Sequence, residues 1–203
     1  MFKGSLVALI TPFRDGAVDE TAFQEHVAWQ LGQGTHGLVP IGTTGECPAL
    51  EDDEQERLIA LTVEVAQGRA PVIPGTGFNS TAHTIHATKV AKKAGADAAL
   101  VVCPYYNKPT QEGLYQHFKA VHDAVDLPIV IYNIPGRSVV DMSNATMARL
   151  AKLPNIVGVK DATNDLARPL KMRVEIGDDF CLLSGEDAIP LAYADALYGL
   201  RSH

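Results

Sequence analysis

Seven short apolar runs recur along the chain at intervals of about 25 to 35 residues, and stretches of helical period separate them. The runs lie at 6–10, 37–41, 71–74, 98–102, 128–132, 156–159 and 180–183. Each is too short for an independent helix, and most are rich in β-branched residues. Between them, residues 19–31 place Phe23, Val27 and Leu31 four apart on one face. Residues 51–66 open with acidic side chains and then turn apolar, which suits a helix N-terminus. Ser80 or Thr81 can cap a helix running to Ala94, a further helix is expected over 111–125, and Ser143 can cap another over 143–152. After Gly185-Glu186-Asp187 a seventh helix is expected to about Leu197.

Strand–helix alternation of this kind implies a parallel sheet covered by helices. Right-handed crossovers leave an open doubly wound sheet or a closed barrel. The polar, glycine-marked motifs all follow strands, as they would on the C-terminal rim of a TIM (β/α)8-type barrel, and the first strand–helix turn lacks a G-x-G-x-x-G fingerprint. The expectation is therefore one barrel-type domain over 1–203 with about seven βα units, the eighth apolar strand being absent. Two raw edges would follow, a liability for stability and aggregation.

The net charge of −7 and pI near 5.4 argue against nucleic acid or an anionic membrane as main partner. No run is long enough for a membrane span, and Met-Phe-Lys-Gly-Ser opens the chain without an apolar leader segment. Cys47, Cys103 and Cys181 form no CxxC pair, so a reducing, cytoplasmic setting is expected.

The sixth run ends in Lys160. Desolvation at a strand mouth favours the neutral amine, the form a Schiff-base nucleophile needs, although most such lysines simply reach water. Gly42-Thr43-Thr44-Gly45-Glu46 follows the second run, and its backbone N–H groups and hydroxyls could hold a carboxylate or merely cap a helix. Tyr105 and Tyr106 stand between prolines after the fourth run, presented rigidly or packed under a loop. Tyr132 ends the fifth run, and Arg137 follows Pro-Gly, where its fork could take a carboxylate or lie in a surface turn. Ser184-Gly185-Glu186-Asp187 follows the seventh. The histidines show no H-x-H or H-E-x-x-H spacing, so no metal is expected, and His83, His86, His117 and His122 read as helix-surface residues. One rim carrying an amine, several hydroxyls, a carboxylate nest and an arginine fits imine formation with a 2-oxo acid.

Taken together, GTTGE at 42–46, PYYNKPTQEG at 104–113, YNIPGR at 132–137, GVKDAT at 158–163 and LLSGED at 182–187 closely resemble the dihydrodipicolinate synthase family, over Phe2 to about Tyr193. The resemblance implies a (β/α)8 barrel with a small helical C-terminal region, usually a homotetramer. It implies condensation of pyruvate with L-aspartate 4-semialdehyde on the route to lysine and diaminopimelate, with no cofactor beyond a covalent Schiff base. By position, Lys160 would form that Schiff base, and Tyr132, Thr43 and Tyr106 would relay protons, Tyr106 being lent by a neighbouring subunit so that at least a dimer is needed. Thr44 would hold the pyruvate carboxylate, Arg137 the semialdehyde carboxylate, and Gly185 would lie beside the bound substrate. Asn164 stands where the family usually has glycine. Asn79 and Tyr105 match the family's lysine-feedback site, while His83 replaces a glutamate there, which argues against feedback. An N-acetylneuraminate lyase-like aldolase, or a shortened inactive relative, are the alternative readings.

Overall fold

The computed structural model describes residues 2–186. Its strands are β1 (Leu6–Ala8), β2 (Phe13–Arg14), β3 (Ala17–Val18), β4 (Gly37–Val39), β5 (Ala99–Val102), β6 (Ile129–Asn133), β7 (Ile156–Asp161) and β8 (Cys181–Ser184). Its helices are α1 (Glu20–Gly32), α2 (Asp52–Ala66), α3 (Thr81–Lys93), α4 (Gln111–Ala124), α5 (Pro135–Ser138), α6 (Asn144–Leu150) and α7 (Ala167–Ile176). The caps are local and sequence-encoded. Asp19 accepts from Ala22 N–H, Ser80 from His83 N–H, Thr110 from Gly113 N–H and Ser143 from Thr146 N–H, while Glu51 and Glu54 form a capping box at α2.

All pairings except the β2–β3 hairpin are parallel. β1 pairs with β4, and β5, β6, β7 and β8 follow one another in a four-stranded sheet. The 71–74 run is not a regular strand. It joins the two sheets through single bridges, Leu38 to Val72 and Gly75 to Leu100. The result is an α/β arc of seven staves, in agreement with the barrel-type expectation. The seventh helix expected after Asp187 lies outside the described residues. The hairpin β2–β3 was not expected, and α7 fills the interval between the sixth and seventh runs, for which no helix bounds were given. The hairpin strands are only two residues long, and α7 opens on Ala-Arg-Pro-Leu-Lys.

The arc has two faces. Outside, Ile129, Ile131 and Val159 pack with Leu114, Phe118 and Val121 of α4, Met147 and Leu150 of α6 and Met172 of α7. Inside, Val39, Ile73, Leu100, Val130 and Tyr132 share a separate cluster. Strand alternation assigns the faces, and one irregularity sets the phase of β7. Ile129 pairs with Ile156, yet Val130 pairs with Gly158, so Val157 is an extra residue in β7. The bulge lets Ile156 and Val159 both join the outer core and turns Lys160 to the inner side opposite Tyr132. Gly158 is needed at this crossing, because a Cβ there would lie 2.5 Å from Cys181 Cβ and 2.6 Å from Cys181 O.

Candidate active site

Tyr132 and Lys160 are direct register partners near the C-terminal ends of β6 and β7. The Lys160 Nζ lies over the Tyr132 ring, 4.5 Å from its centroid. Lys160 is half-buried and Tyr132 only 6% exposed. Burial, the largest influence, raises the Tyr132 phenol above its ordinary range. A hydrogen bond with the Thr43 side chain and the charge of Arg137 oppose it, and Glu186 adds to the rise. A phenol held neutral beside an amine, with a hydroxyl in contact, can donate or carry a proton.

A cavity of about 250 Å³ opens beside this pair, lined among others by Thr43, Cys47, Tyr105, Tyr132 and Arg137. Lys160 does not line it; its amine lies over the ring of Tyr132, which does. Gly185 lies close to the lysine stem. A Cβ there would stand 3.2 Å from Lys160 Cε and 3.0 Å from Ala162 Cβ, while its N–H donates to Asp161 O at 2.7 Å. The close approach of β8 to the lysine stem therefore depends on a residue without a side chain.

The other expected residues divide. Thr43 and Arg137 reach the cavity, and Arg137 sits in the short helix α5 rather than in a turn. Thr44 is exposed, outside the cavity lining. The expected nest is partly spent internally. The N–H groups of Gly45 and Cys47 donate to Gly42 O, and that of Glu46 donates to Thr43 O. Tyr106 does not join the site of its own chain. It is 86% exposed, on a backbone with φ of +69°. A large aromatic held outward in the left-handed region is presented, not packed.

Asn164 adopts φ of +62°, so the position expected to favour glycine is left-handed and asparagine fills it. His83 stacks on Phe78 at 3.8 Å and pairs with Asp52 at 3.2 Å. The surface reading of His117 is overturned. It is 5% exposed on the inner side of α4, with Thr81 Oγ1 2.8 Å from Nδ1, and burial pushes its pKa down to about 4. The three cysteines are free and buried, and burial raises Cys47 and Cys181 to about 11 and Cys103 to about 12. Among the described residues there is no His, Cys, Asp or Glu cluster that could hold a metal ion, and no helix is long and apolar enough to cross a membrane.

The sequence reading also missed a polar network behind the site. Asn133 and Asp161 follow Tyr132 and Lys160 on the opposite face and are themselves register partners. Asn133 donates to Asp141 at 2.9 Å and accepts from Met142 N–H at 3.1 Å. Arg168 forks onto both Asp141 oxygens at 2.7 and 2.6 Å. A signal was present, since a polar residue on the helix-covered face of a buried strand needs a partner.

Known proteins resemble this chain in sequence and in fold. A sequence model described as the dihydrodipicolinate synthetase family matches residues 1–202, past Tyr193 where the motif likeness ends. A curated 4-hydroxy-tetrahydrodipicolinate synthase from Rhodospirillum centenum is 72% identical over 193 residues, which are 95% of this chain and 66% of that protein. Dihydrodipicolinate synthase from Aquifex aeolicus superposes with a TM-score of 0.94 at 47% identity, covering 96% of this chain and 67% of that one. The chloride-inhibited enzyme from Acinetobacter baumannii, solved with pyruvate, gives 0.94 at 48%, covering 97% and 68%. The chain thus spans 66% of the length of the first curated relative.

Proposed function

The chain belongs to the dihydrodipicolinate synthetase family, and from that premise we propose that it is a Schiff-base-forming lyase that condenses pyruvate with L-aspartate 4-semialdehyde to 4-hydroxy-tetrahydrodipicolinate. The observation that carries the reading is the Lys160 amine 4.5 Å from the Tyr132 ring centroid, at paired strand ends beside an apolar-walled cavity. The neutral amine adds to the keto carbon of pyruvate, and loss of water gives the imine. A proton leaves the methyl carbon, and the resulting enamine attacks the aldehyde carbon of the second substrate. Tyr132, in contact with Thr43, carries the protons of these steps. The substrate's own amine then displaces Lys160 as the product cyclises. Thr44 is assigned to the pyruvate carboxylate, Arg137 to the semialdehyde carboxylate, and Gly185 to the floor beside the imine.

Tyr106 completes the relay from a second copy of the chain, a role supported by its outward presentation. The functional unit is therefore at least a dimer, with a tetramer expected from the family likeness. The same reading takes residues 1–203 as one barrel-type domain, short of the family's eighth strand and C-terminal helices, in the cytoplasm. It involves no metal and no cofactor beyond the covalent imine.

The test is incubation with pyruvate and, in separate reactions, aspartate semialdehyde, N-acetylmannosamine or glyceraldehyde, with products identified by mass. Condensation with the semialdehyde alone is expected. Turnover of the sugar aldehydes instead would assign the chain to another aldolase class, and turnover of none would overturn the enzymatic reading.

A further inference from the structure

The network behind the site contains a group that stability alone does not explain. Asp161 is 4% exposed. Its Oδ1 accepts from Thr163 N–H at 3.0 Å, while its buried Oδ2 has no hydrogen-bond partner among the described residues. A buried carboxylate with an unsatisfied oxygen is costly, and its retention calls for a role. Burial, the largest influence, raises the Asp161 carboxyl; hydrogen bonding to Thr163, and after it the charge of Arg168, oppose that rise, and Asp141 adds to it. For Asp141 burial also acts upward, but the Arg168 fork and Asn133 outweigh it and leave the carboxyl below its usual range.

Arg168 stands at the start of α7, with its side chain 15% exposed. Besides its two bonds to Asp141 it donates to Met142 O at 2.9 Å. Met142 N–H and Asp141 together occupy both ends of the Asn133 side-chain amide. One guanidinium thus ties the strand end carrying Tyr132 to α7, and its charge reaches the strand end carrying Lys160. On the same level the backbones are cross-bonded, Ala162 N–H to Asn133 O at 2.9 Å and Gly185 N–H to Asp161 O at 2.7 Å. A planar fork fixes direction as well as distance, which a point charge does not.

We propose that Arg168, acting through Asp141 and Asn133 on the outer face, is a positioning residue that fixes the relative placement of Tyr132 and Lys160 on the inner face. The inference rests on the Schiff-base reading. Small errors in the placement of reacting groups are expensive, with about 1 Å costing on the order of 100-fold. Arg168 touches neither substrate nor the reacting atoms, so its loss should slow the chemistry without weakening pyruvate capture.

The experiment is the rate of adduct formation on Lys160, with timed borohydride quenching across a range of pyruvate concentrations. The full chain is compared with Arg168→Met, Arg168→Lys and, as a control, Arg149→Met, which removes a surface pair with Glu112 at 2.8 Å. Arg168→Met should lower the saturating rate about tenfold or more with the half-saturating pyruvate concentration unchanged. Arg168→Lys keeps the charge, loses the fork, and should recover less than half of that loss. Arg149→Met should match the unaltered chain. Equal saturating rates in Arg168→Met and the unaltered chain, full recovery by lysine, or an equal slowing in Arg149→Met would each overturn the proposal. If circular dichroism shows Arg168→Met unfolded, Arg168→Lys decides by the same criterion. No adduct on the unaltered chain would overturn the Schiff-base reading and this inference with it, an outcome distinct from the others.

Discussion

The two faces of strands β6 and β7 are made from the same backbone and do opposite work. On the outer face Ile129, Ile131 and Val159 disappear into a dry core under α4, α6 and α7. On the inner face Tyr132 lines a cavity and carries the Lys160 amine over its ring. Packing on the first face rigidifies the strands, and that rigidity lets the second face hold an amine and a phenol in fixed relation without filling the space between them. The single extra residue at Val157 decides which side chains go to which face. Stability and chemistry should therefore separate between neighbouring residues of one strand.

Ile131→Ala should show the largest effect, all of it on stability. The side chain is fully buried in the outer core, so truncation should cost about 2–5 kcal/mol. At about 2–4 °C per kcal/mol for a chain of this size, the melting temperature should fall by about 4–20 °C, with the pyruvate adduct still forming on the folded fraction. Tyr132→Phe, one residue along, should do the reverse. The ring stays against Lys160 and the melting temperature holds, while condensation slows about 100-fold, equivalent to about 2.7 kcal/mol, because the proton carrier is gone. A large stability loss in Tyr132→Phe, or unchanged turnover, would erase the distinction between the faces.

His117 sharpens the comparison from the outer side. Its folded-state pKa of about 4 lies below the ordinary 6.5. The unfolded chain binds the proton first as pH falls, so this histidine contributes stability above about pH 6.5 and loses it progressively down to about 4. Between pH 7 and pH 5 the loss should be about 2 kcal/mol. Melting curves of the unaltered chain and His117→Gln at the two pH values would measure it, the variant showing the smaller drop.

The sequence disclosed the staves because buried parallel strands read as apolar runs, and it disclosed two caps because Ser80 and Ser143 act on their own helices. It brought Lys160 and Tyr132 to one rim because both end such runs. It did not disclose the bulge at Val157, which arises from pairing between strands and leaves no local signature. His117 was misread for a related reason. Its burial depends on Thr81 of a neighbouring helix, 36 residues away. The Arg168–Asp141–Asn133 network joins residues that only the fold brings together, so no local spacing announces it. Tyr106 was legible as a site residue only through motif resemblance, since within one chain it points away from the cavity.

The most direct test of the central claim is the mass of the chain after borohydride reduction in the presence of pyruvate, followed by peptide mapping. A single reduced pyruvate adduct on the peptide bearing Lys160, absent from Lys160→Ala, is the expected result. A folded chain that gains no such mass, or gains it equally in Lys160→Ala, would contradict the account.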